Sequence, residues 1–67
     1  MVNLTLREYM EQQGVTRYKL STMTDIRYHV IDSYYKNKVV RYDSYVLNRI
    51  CRALECEIQD ILRYTKD

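Results

Sequence analysis

The chain has 67 residues, with 11 Lys and Arg against 9 Asp and Glu for a net charge of +2, and 46% of its residues are apolar. That describes one small domain spanning residues 1–67, too apolar to be disordered and too short to hold both a scaffold and an elaborate cleft. A single glycine and no proline argue against a small all-β domain, and neither a transmembrane run nor the apolar stretch of a secretory signal in Met1–Tyr9 is present.

Thr5-Leu6-Arg7-Glu8 has the form of a capping box, with Leu4 and Tyr9 at the positions of a hydrophobic staple. Leu6 and Met10 share one face, and Gly14 suits the left-handed residue that ends a helix, so a first helix is expected over Leu6 to Gln13. Thr16 is the cap expected for a second, short helix, with Leu20 and Met23 inward and a break at Thr24-Asp25. Aspartate accepts a left-handed conformation better than most residues. Ile26 then anchors a third helix that turns Val30, Ile31 and Tyr34 inward, and Lys36-Asn37-Lys38 places cations at its end, favourable for the helix dipole. Val39–Tyr42 reads as a loop or a short extended piece. Asp43 or Ser44 caps a fourth helix whose stripe is Leu47, Ile50, Cys51 and Leu54, at i, i+3, i+4 and i+7. After a turn at Glu55-Cys56, a short fifth helix carries Ile58, Ile61 and Leu62. The expected fold is all-α: a compact domain of five short helices on one core.

Chemistry-bearing residues are sparse. Two cysteines, Cys51 and Cys56, and one distant His29 are too few for a metal site, and the cysteines read as small buried apolar residues of a cytoplasmic protein. One histidine, no Gly-rich loop and scattered carboxylates make no nucleophile–base pair, so the chain is not expected to be an enzyme. The charge is uneven. Residues 1–16 carry −1, residues 17–41 carry +4 and residues 42–67 carry −1. The excess therefore falls on the expected second and third helices and the loop after them, the footprint of a polyanion binder or else a plain solvated face.

Two helices joined by a tight turn, the second exposed, form a helix-turn-helix. Leu20, Ser21, Asp25, Ile26, Ile31 and Tyr34 resemble the frame of the lambda-repressor and Cro type of this motif, also called the xenobiotic-response-element type. The stretch Leu47-Asn48-Arg49-Ile50-Cys51-Arg52-Ala53-Leu54-Glu55-Cys56, continuing to Asp60-Ile61-Leu62, is similar to that family's fourth helix, turn and fifth helix. The resemblance implies five helices, sequence-specific binding of double-stranded DNA, no cofactor, and frequently a homodimer; with the charge pattern, the leading reading is a short single-domain transcriptional regulator, a repressor, with no membrane and no small-molecule ligand expected. Val39, Val40, Ile58 and Tyr64 are the residues available for an apolar seam.

A helix fits the major groove, where each base pair shows its own donor and acceptor pattern. The recognition helix, about 27–36, would bury Ile26, Val30, Ile31 and Tyr34 and expose Arg27, Tyr28, His29, Asp32 and Ser33. By resemblance, the positions of Tyr28, His29 and Ser33 touch bases and that of Arg17 touches phosphate or a flanking base. Lys36, Lys38 and Arg41 follow where the DNA backbone would pass. Four departures mark this chain. Asp25 replaces the turn glycine, and Arg27 replaces a Ser or Thr cap. Asp32 is acidic on the DNA side, where it could accept from a cytosine amino group or pair with His29. Met10 and Tyr35 replace a charged pair by an apolar contact. Eight tyrosines without Phe or Trp, and the weakly basic third helix, also suit a protein partner. The alternative function is thus a protein-interaction module on the same fold, such as an antitoxin or a phage-type inhibitor of a host protein. RNA binding through stacked tyrosines ranks behind both.

Overall fold

A computed structural model describes residues 1–66. In chain order these form strand β1 (Val2–Leu4), helices α1 (Leu6–Gln13), α2 (Arg17–Thr24), α3 (Tyr28–Tyr35) and α4 (Ser44–Leu54), a single 3₁₀ turn at Ile58–Asp60, and strand β2 (Leu62–Tyr64). The helical expectation is met for the first four helices, and the all-α expectation is corrected at the two ends, where β1 and β2 form a small sheet. Where a fifth α-helix was expected there is one tight turn followed by a strand, and β1 and β2 pair antiparallel with Val2 opposite Tyr64, Asn3 opposite Arg63 and Leu4 opposite Leu62. The reason lies in the ladder. The Thr5 amide donates to Ile61 O at 2.8 Å and the Thr65 amide to Met1 O at 2.8 Å, so extended backbone at one end satisfies extended backbone at the other. Only Ile61 of the three apolar residues in that segment is fully buried, while Ile58 is 44% exposed. One inward side chain does not make a helical stripe.

The caps explain where the helices stop. Thr5 makes no side-chain cap on α1. Its hydroxyl donates instead to Asp60 O at 3.2 Å, tying the start of α1 to the closing turn. The capping box falls elsewhere: the Glu57 side chain accepts from the Asp60 amide, and the Asp60 side chain accepts from the Glu57 amide at 2.9 Å. Gly14 sits at φ 69° as expected, with the Val15 amide donating to Met10 O at 3.0 Å. Thr16 caps α2 by accepting from the Lys19 amide at 3.1 Å. Asp43 caps α4 by accepting from the Tyr45 amide at 2.8 Å. Among the described residues, three non-glycine residues take the left-handed conformation: Asp25 (φ 58°), Asn37 (φ 57°) and Glu55 (φ 52°). Each ends a helix.

The core joins α1 (Leu6, Met10), α2 (Leu20), α3 (Ile31), α4 (Ile50) and the closing turn (Ile61), all fully buried. Burying a side chain of this size contributes about 1.5–3 kcal/mol. Three facings differ from the sequence expectation. On α2, Thr24 is buried and Met23 is 45% exposed. On α3, Val30 is only half-buried. On α4, Val46 and Ile50 are the buried pair, and Leu47, Cys51 and Leu54 flank them half-buried. Tyr34 is almost fully buried, and its hydroxyl accepts from the Asp43 amide at 3.0 Å. That bond is the physical reason for tyrosine there, since phenylalanine would leave the start of α4 without this tie.

Candidate nucleic-acid interface

The turn between α2 and α3 is held by side chains. The Thr24 hydroxyl donates to Leu20 O at 2.7 Å and accepts from the Ile26 amide at 3.3 Å. The Ser21 hydroxyl donates to Ile26 O at 2.5 Å. With Asp25 already left-handed, these bonds set the angle at which α3 leaves the turn without a glycine. From α4, the Arg49 guanidinium donates to Thr24 O at 2.7 Å and stacks over the Tyr45 ring at 4.6 Å. It satisfies one of the free carbonyls at the end of α2.

Helix α3 buries Ile31 and Tyr34 and turns its other side outward. Arg27 and His29 are exposed and Tyr28 is 45% exposed; the Arg27 guanidinium has no acceptor to offer the free amides at the helix start and makes no cap. Ser33 is half-buried, and its hydroxyl donates back to His29 O at 3.0 Å, leaving its lone pairs as acceptors. Lys36, Lys38 and Arg41 are exposed. The outward side therefore offers ring, hydroxyl, imidazole and guanidinium groups that can meet base edges or phosphates.

Asp32 and Arg17 are engaged with each other. Arg17 Nη1 lies 2.5 Å from Asp32 Oδ1, and Lys36 Nζ lies 3.1 Å from Asp32 Oδ2. The Arg17 guanidinium also stacks 4.6 Å above the Tyr35 ring, whose hydroxyl donates to Glu11 Oε2 at 3.5 Å. Hydrogen bonding from Lys36, and then from Arg17, holds the Asp32 carboxyl below the ordinary carboxylate range against partial desolvation. The bond to Asp32 in turn raises Arg17 above its ordinary value. The partners of Asp32 are these two cations and not the neighbouring His29 suggested by sequence spacing. Met10 is a core residue and Tyr35 packs at the edge of that core.

Asn37 was missed by sequence reasoning. Its side-chain oxygen accepts from the Leu4 amide at 2.9 Å and its amide group donates to Asn3 Oδ1 at 3.1 Å. It thereby fastens the end of α3 to β1. Its left-handed tolerance was the one available signal; a partner 33 residues away leaves none. Arg49 was missed for the same reason, its carbonyl partner lying 25 residues earlier.

The profile of the Cro/C1-type HTH DNA-binding domain matches residues 5–67. The chain belongs to this family. No curated protein and no solved structure is significantly similar to it. In this Cro/C1-type domain, α2, the Asp25 turn and α3 are the helix-turn-helix, and the match runs on through the closing turn and β2. Among the described residues, no helix is long and apolar enough to cross a membrane.

Proposed function

We propose that this domain is a sequence-specific regulator of transcription that binds double-stranded DNA with α3 in the major groove and acts as a repressor. The observation that carries the reading is the two-sidedness of α3. Ile31 and Tyr34 lock one side to the core, and the opposite side presents Arg27, Tyr28, His29 and Ser33. Tyr28, His29 and Ser33 address bases; Arg17, Lys36, Lys38 and Arg41 address phosphates, which fix register without reading sequence. Repression follows from occupancy, since a domain seated in the groove excludes other proteins from the same base pairs. Two copies on half-sites one helical turn apart, about 34 Å, would double the readout. The exposed Val40, Ile58 and Tyr64 are available for that pairing.

Selection of bound duplexes from a random pool tests the reading. A defined consensus is expected, with affinity that falls steeply as salt rises. Tyr28→Ala should relax base preference at one or two positions. Lys38→Ala should weaken all duplexes evenly and reduce the salt slope by about one. Absence of binding to any duplex at low salt would overturn the reading and leave the protein-interaction module in its place.

A further inference from the structure

Two of the cations assigned to phosphate, Arg17 on α2 and Lys36 at the end of α3, share a single carboxylate, one on each oxygen. The Asp32 side chain is only 23% exposed, so it is fixed in the surface and does not swing free. Arg17 is held from two directions, by Asp32 at its edge and by the Tyr35 ring against its face. The trio carries one net positive charge where two bare cations would carry two.

On the DNA-binding reading above, we propose that Asp32 is a specificity-determining positioning residue: it presets Arg17 and Lys36 for one docked register and suppresses their attraction to any phosphate backbone. Two physical effects run together. A carboxylate beside the cations lowers the sequence-independent attraction that dominates non-specific binding. An ordered guanidinium loses less freedom when it binds, so the correctly registered complex keeps its affinity. Both effects widen the gap between the right duplex and a random one. This differs from Asp32 as a base reader, in which its carboxylate would accept from a cytosine amino group.

The test is Asp32→Asn in the full chain, with affinities measured on a selected duplex and on a random duplex across a salt series. The random duplex should be bound about tenfold more tightly at low salt, with a salt slope steeper by about one. Affinity for the selected duplex should change by less than about threefold, so the ratio between the two falls. Adding Asp32→Asn to an Arg17→Ala chain should cost less of that ratio than it does alone, because the pair acts as a unit. Asp32→Ser serves the same purpose if the amide variant melts below the assay temperature. Unchanged ratio and slope, an equal fall on both duplexes, or relaxed preference at a single base pair with an unchanged slope would each overturn the proposal. If the unmodified chain discriminates between duplexes while the variant keeps its ratio, only this inference falls. If the unmodified chain binds no duplex, the DNA reading falls with it.

Discussion

Asn37 combines a backbone and a side-chain role, and substitution separates the two. It ends α3 at φ 57°, and its side-chain oxygen takes the part-buried Leu4 amide at 2.9 Å. Alanine there incurs left-handed strain of roughly 1–2 kcal/mol and orphans the Leu4 amide at about 1–3 kcal/mol. Asn37→Ala should therefore destabilise the domain by about 2–5 kcal/mol. Glycine relieves the strain but not the orphan, so Asn37→Gly should cost roughly 1 kcal/mol less than alanine. Asn37→Asp keeps both the acceptor and the left-handed tolerance and loses only the exposed bond to Asn3, so it should stay within about 1 kcal/mol of the parent. For a domain this small, 1 kcal/mol moves the melting temperature by roughly 4–8 °C. Urea unfolding followed by far-UV circular dichroism, with linear extrapolation, reads all three. Equal losses for alanine and glycine would refute the strain argument. Losses below about 0.5 kcal/mol for both would refute the tie between α3 and β1.

Three further outcomes follow from the same geometry. Thr24→Val keeps the shape but strips the buried hydroxyl from Leu20 O and the Ile26 amide, and should cost about 1–3 kcal/mol in urea unfolding, with Thr24→Ser closer to the parent; a valine variant as stable as the parent would contradict the side-chain-held turn. Burial, reinforced by Cys51 and Asp60, pushes the Cys56 thiol from 9.0 up to about 12, which lowers its thiolate fraction at pH 8 on the order of a thousandfold, so its alkylation should be far slower in the native chain than in urea, and equal rates would count against it. Because the neutral thiol is favoured in the fold, its stabilising effect is complete below pH 9.0 and is lost as pH rises from there toward 12. Asp32 has the opposite sign: its carboxyl lies below 3.8, so its contribution is present above that pH and lost as pH falls through its lowered value. Unfolding midpoints of Asp32→Asn and the parent should therefore converge at the acid end, and a constant gap would refute that assignment.

What was legible in the sequence was local. Gly14 ends α1 through its own left-handed backbone, and Thr16 and Asp43 accept from amides two or three residues on, so these caps could be placed from spacing alone. The left-handed Asp25 was readable because the break after Thr24 needed such a residue. What was not legible was set by distance along the chain. Thr5 has a capping-box partner three residues on, yet its hydroxyl goes to Asp60, 55 residues away. Val2–Leu4 and Leu62–Tyr64 are too short to show alternation and exist as strands only because each finds the other. Ile58, Ile61 and Leu62 fit a helical spacing equally well, and the pairing of the two strands decided the matter. Within the candidate site, the positive charge of residues 17–41 was plain, but its internal wiring was not. Spacing suggested His29 as the neighbour of Asp32, and folding brought Arg17 from the preceding helix instead.

The reading rests on the outward side of α3 being the surface that meets DNA. Titrating the ¹⁵N-labelled chain with its selected duplex and following backbone amide shifts tests that directly. The largest changes are expected at Arg17, Tyr28, His29, Ser33 and Lys36, with β1, β2 and the far end of α4 little affected. Changes concentrated on the β1–β2 sheet or on α4, with α3 unmoved, would contradict it.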